Sequence, residues 1–145
     1  RISDEAATLL RVTEASLHLG IEKARAGLRV GDVGHAVQSH VEAHGFSVVR
    51  EFVGHGVGVA LHEELQVPNY GKPGRGTRLA PGMVFAIEPM VNMGKPAVKV
   101  LADGWTAATK DGSLSAHYEH TVAVTEHGPL ILTAADDSLA RQYLD

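Results

Sequence analysis

Two runs constrain this chain most, MVFAIEPMV over residues 83–91 and SAHYEHTVAVT over residues 115–125, because each reads as a strand and each carries a glutamate. Their Val, Ile, Phe, Ala and Thr content suits a pleated, half-buried surface. Glu88 and Glu119 break that apolar logic, and so does His55 just after the run FSVVREFV. A buried ionised carboxylate needs counter-charge. Each glutamate therefore has two readings: it pairs with Lys or Arg or faces solvent, or it ligates a cation. Strand alternation puts Glu119 on one face with His117 and Thr121, while Tyr118 and His120 point the other way.

The rest of the chain supplies helices, further strands and turns. Ser3 can cap a helix over residues 3–26, with Asp4 and Glu5 in its first turn and Leu10, Leu17, Ile21 and Ala24 recurring at helical spacing. Val33, Val37 and Val41 form the stripe of a second helix over 32–44, ended by Gly45 in a left-handed cap. Strands are expected over 46–53, 83–91, 105–109, 115–125 and within 129–133, and a short helix over 136–144. The segment 71–82 holds four glycines and two prolines and reads as loop. Asp111-Gly112 signals a hairpin between 105–109 and 115–125. No repeat or linker divides the chain, so 1–145 reads as a single mixed α+β domain with a largely antiparallel sheet.

Composition narrows the function classes. Of the 145 residues 44% are hydrophobic and 21% charged, enough apolar material for a core. The net charge of −4, with no Lys/Arg cluster, leaves no electrostatic footprint for nucleic acid. No apolar run has the length of a membrane span and no leader pattern is present, so a cytoplasmic protein is expected, with its oligomeric state open. There is no cysteine, so a metal site must use His, Asp and Glu.

The stretch GHGVGVALHEELQVPNYG, residues 54–71, sets His55 and His62 among glycines. Their spacing fits no HExxH protease motif, whose histidines stand four apart on a helix. Of nine histidines, His18, His35, His40, His44 and His127 read as surface residues. One imidazole with carboxylates would be a hard donor set suited to Mn²⁺, Fe²⁺, Co²⁺ or Zn²⁺.

Taken as words, VEAHGFSVVREFVGHG, GHGVGVALHEELQVPNYG, PGMVFAIEPMV and DGWTAATKDGSLSAHYEHTVAVTE resemble the carboxy-terminal portion of type I methionine aminopeptidases over nearly the whole chain. The resemblance implies a pita-bread fold and metal-dependent removal of N-terminal methionine from peptides with a small second residue. It makes His55, Glu88 and Glu119 metal ligands, with Glu119 bridging two ions and Glu88 also sharing in proton transfer from the attacking water. It places His62 against the scissile carbonyl and Trp105 beside the methionine pocket. Glu88-Pro89-Met90 sets the chain apart from prolidases and proline-specific aminopeptidases, which share the fold but follow this glutamate with Pro-Gly.

Several positions depart from that pattern. The family's two aspartate ligands and a further histidine lie upstream of the matched words, and Asp4, Asp32, Asp103, Asp111, Asp136, Asp137 and Asp145 have neither their spacing nor their context. The chain also begins with Arg1. It is therefore expected to be an incomplete pita-bread fold lacking that segment, to hold at most one metal ion and to have little or no peptidase activity. Exposed sheet edge would then favour self-association. Leu61 stands where phenylalanine often lines the methionine pocket, Leu65 where proline is common, and His117 where glutamine is usual. His117 either reaches substrate or metal, or is a tolerated polar substitution. Two rival readings stand beside the peptidase: a non-catalytic peptide-binding module, and a proline-specific peptidase.

Overall fold

The computed structural model describes residues 2–134, so the helix expected over 136–144 lies outside the described residues. Helix α1 runs Asp4–Glu22, and the Ser3 side chain accepts from the Ala6 N–H at 3.2 Å. It is shorter than the expected 3–26: the Lys23 N–H bonds back to the Gly20 and Ile21 carbonyls, and the chain leaves the helix before Ala24, which is nonetheless fully buried. Leu10, expected on the apolar stripe, is exposed. The buried face instead uses Leu9, Val12, Leu17 and Ile21 with the small residues Thr13, Ser16 and Gly20.

Helix α2, Val30–Ala43, starts two residues earlier than expected. Asp32 is its N3 residue and accepts the Arg29 backbone N–H at 2.8 Å, satisfying one of the donors around a helix start. Val33, Val37 and Val41 are wholly buried as the stripe requires, and Gly45 takes φ +75° after the last turn.

The strands follow in chain order as β1 (Ser47–Val48), β2 (Gly54–Gly56), β3 (Glu63–Val67), β4 (Val84–Ile87), β5 (Met90–Asn92), β6 (Val98–Val100), β7 (Ala107–Thr109), β8 (Ser115–His117), β9 (His120–Thr125) and β10 (Gly128–Ile131). Every paired neighbour is antiparallel. A five-stranded sheet runs β10-β9-β4-β2-β3, a three-stranded sheet β1-β5-β8, and β6 pairs with β7 alone. Three expectations are corrected here. The run 46–53 is strand only at 47–48. Residues 115–117 pair with β5, while 107–109 pair with the β6 strand that sequence reading missed, so the turn at Asp111-Gly112 joins two sheets and makes no hairpin. And the run 115–125 is interrupted at Tyr118-Glu119, while the run 83–91 breaks at Glu88-Pro89, where those two residues interrupt its apolar pattern.

The interruption leaves the register unchanged. Ile87 pairs with His120 on one side of the gap and Met90 with His117 on the other, so Glu88 and Glu119 stand opposite each other where one ribbon passes between two sheets. Both helices cover the same side. Leu17, Ile21, Val30 and Val33 meet Phe85, Ile87, Val122 and Val124 of the larger sheet. Leu9, Val37 and Val41 meet Val48, Val91 and Ala116 of the smaller. Alternation from Ile87 and Val91 therefore turns Glu88 and Met90 to the side away from the helices.

Candidate metal centre

His55 reaches that open side because Gly56 is the residue paired with core-facing Phe85, which turns its neighbour His55 outward. Glycine is needed beside it, since a Cβ on Gly54 would overlap the Ala86 carbonyl oxygen of β4. The backbones of β2 and β4 thus approach closely enough to bring His55 over Glu88. His55 Nε2 lies 3.4 Å from Glu88 Oε1. Its Nδ1 lies 2.9 Å from the Gly56 carbonyl oxygen, which can only accept, so Nδ1 donates there and Nε2 is the nitrogen turned toward Glu88.

Glu119 completes the group: one donor atom from each of His55, Glu88 and Glu119 lies within 4.8 Å of the others. His55 and Glu88 are largely buried, with side chains 15% and 13% exposed, while Glu119 is exposed at the rim and is not the buried carboxylate that a strand-centre position implied. Ligands about 2.0–2.2 Å from a common ion stand about 3–3.6 Å apart, so the three donor atoms need to close by only about 1–2 Å to share one ion. The residues fit a divalent cation in position, donor type and tautomer.

Further residues surround this core. The His62 ring centroid is 4.1 Å from that of His55, and His62 is exposed. It also borders an open groove of about 790 Å³ with Gly56, Glu63, Leu65 and Met83. Leu61 and Trp105 are 72% and 90% exposed, and neither lines that groove. A smaller cavity of about 300 Å³ lies beside His117, lined by Phe52, Met90, Val98 and Ala107 among others. His117 Nε2 stands 3.6 Å from Glu88 Oε2, so the alternation that set His117 on the Glu119 face leads to a real neighbour.

Sequence reading passed over Asn69. It is 1% exposed, and its side-chain N–H donates to the Glu88 carbonyl at 3.1 Å, tying down the backbone where the ribbon breaks. Its Oδ1 has no partner among the described residues. A polar residue after Pro68 at a strand end reads as turn chemistry, so only its burial marks it out. Of the histidines read as surface, His18, His35, His44 and His127 are exposed; His40 is half-buried, its ring 4.6 Å from that of His44. The described aspartates lie outside the donor group: Asp4 sits in the first turn of α1, Asp32 accepts from Arg29 and Gly74, Asp103 from Trp105 and Thr106, and Asp111 from Lys95 and Ser113.

Antiparallel strands that bring one imidazole and two carboxylates together on the side opposite two helices define a candidate centre of the metallohydrolase class. The chain belongs to metallopeptidase family M24, whose profile matches residues 1–126. A curated relative, the methionine aminopeptidase of Clostridium perfringens, is 60% identical over 132 residues, covering 91% of this chain and 53% of the relative. The crystal structure of methionine aminopeptidase from Rickettsia prowazekii superposes with a TM-score of 0.90 at 42% identity, over 92% of this chain and 54% of that one. The prolidase from Pyrococcus horikoshii shares the fold alone, at 21% identity and a TM-score of 0.68. The chain is thus a pita-bread fold in part, spanning about half the length of the curated relatives it matches. Among the described residues no helix is long and apolar enough to cross a membrane.

Proposed function

We propose that the chain carries the His-Glu-Glu side of a metalloaminopeptidase centre that removes N-terminal methionine from peptides with a small second residue. The observation that carries this reading is the approach of the His55, Glu88 and Glu119 donor atoms to within 4.8 Å. Relatives that bear the methionine aminopeptidase name support the substrate, and action on new protein N-termini goes with a cytoplasmic location. His55 through Nε2, Glu88 and Glu119 would hold one Mn²⁺, Fe²⁺, Co²⁺ or Zn²⁺. Such an ion supplies a Lewis acid for the scissile carbonyl and lowers the pKa of the attacking water.

The chain's own residues do the rest. Glu88 accepts and returns a proton of the attacking water. His62, beside His55 and open to solvent, donates to the oxygen of the scissile carbonyl as charge develops there. Leu61 and Trp105 are exposed apolar surfaces for the methionine side chain to cover. With no described aspartate in the donor group, this chain alone binds at most one ion and turns over little or no peptide.

The test is Met-Ala-Ser hydrolysis, against an Ala-Pro peptide, by the natural protein that carries this sequence, supplied with Mn²⁺ or Co²⁺. Methionine release that disappears in Glu119→Gln is expected. Cleavage of the Ala-Pro peptide in its place would favour a proline-specific enzyme, and hydrolysis of neither peptide a non-catalytic binding module.

A further inference from the structure

We propose that His117 is a positioning residue for Glu88, holding its second carboxylate oxygen so that the first stays aimed at His55. The inference rests on the metal-centre reading above. Glu88 is flanked on both oxygens, Oε1 by His55 Nε2 at 3.4 Å and Oε2 by His117 Nε2 at 3.6 Å. The two imidazoles come from different elements, β2 and β8, and approach the carboxylate separately.

The ribbon places His117 there by register. It pairs with Met90, two residues beyond Glu88, and lies two before Glu119, so all three side chains fall on one side of the sheet. His117 does not belong to the donor group itself, which comprises His55, Glu88 and Glu119. That separates the role of a brace from that of a fourth ligand. At 3.6 Å the two atoms are neighbours just beyond hydrogen-bond distance. The His117 side chain is 42% exposed and has room to rotate, and a movement of less than about 1 Å makes it a hydrogen bond from the ring N–H to Oε2. A carboxylate with one oxygen so held has fewer orientations to lose when the other binds a cation.

The experiment is a Co²⁺ titration of the full chain, followed by the visible spectrum of the bound ion, for the unchanged protein and for His117→Leu, His117→Gln and Glu119→Gln. His117→Leu removes the donor and should weaken Co²⁺ binding by about tenfold or more and alter the spectrum. His117→Gln keeps an N–H donor and should stay close to the unchanged chain. Thermal unfolding of each variant reports the fold, and His117→Ala replaces the leucine variant if that one misfolds. Unaltered affinity and spectrum in His117→Leu, or equal losses in the leucine and glutamine variants, would overturn the role of His117. Glu119→Gln distinguishes the two levels of the argument: if it binds Co²⁺ as the unchanged chain does, the centre itself is misassigned.

Discussion

Glu88 has close neighbours at several points: Asn69 donates to its backbone carbonyl, and the His55 and His117 imidazoles lie 3.4 and 3.6 Å from its two carboxylate oxygens. Removing Asn69 tests the first of these. Asn69→Ala leaves a part-buried carbonyl without its donor and should lower stability by about 1–3 kcal/mol, read from urea denaturation. His62 should behave differently, because it lies beside the donor group and outside it. In the natural protein His62→Ala should lower kcat for Met-Ala-Ser about 10²–10³-fold while Co²⁺ affinity stays unchanged. At this scale the sequence was informative where polarity conflicts with its surroundings. Glu88 and Glu119 stand out within apolar runs, whereas Asn69 sits in a stretch that already reads as a turn, and its importance comes from burial that only packing creates.

The elements show where local pattern stops deciding structure. The valine stripe of α2 and the Ser3 cap of α1 act within a few residues and are found as expected. The strands depend on partners distant in sequence. Residues 107–109 could have closed a hairpin with 115–117, but β8 instead continues the ribbon that pairs β9 with β4, and β6 takes the free edge of β7. The two gaps in that ribbon coincide with Pro89, which lacks a backbone N–H, and with the opposed glutamates. Close approach of β2 to β4 has its own test. Gly54→Ala forces a Cβ against the Ala86 carbonyl and should cost about 1–3 kcal/mol in urea denaturation, and it should also weaken Co²⁺ binding by displacing His55. Phe85→Ala, a cavity in the core beneath the same sheet, should cost about 3–5 kcal/mol.

For the molecule as a whole, one consequence lies in its response to acid. Burial, with His44 close by, lowers the His40 imidazole below its ordinary value of 6.5. The unfolded chain therefore takes up this proton at a higher pH than the fold does. The His40 contribution is complete above about pH 6.5 and is lost as pH falls through the lowered value. The thermal midpoint should drop between pH 7.5 and 5.5, and more shallowly in His40→Gln. The helices cover one side of the ribbon, and the donor group lies on the other. The central claim is that His55, Glu88 and Glu119 form a single cation site on that side. Isothermal titration of the 145-residue chain with Co²⁺ tests it most directly. One equivalent should bind to the unchanged chain and essentially none to Glu119→Gln at the same concentrations; equal binding by the two would contradict the account.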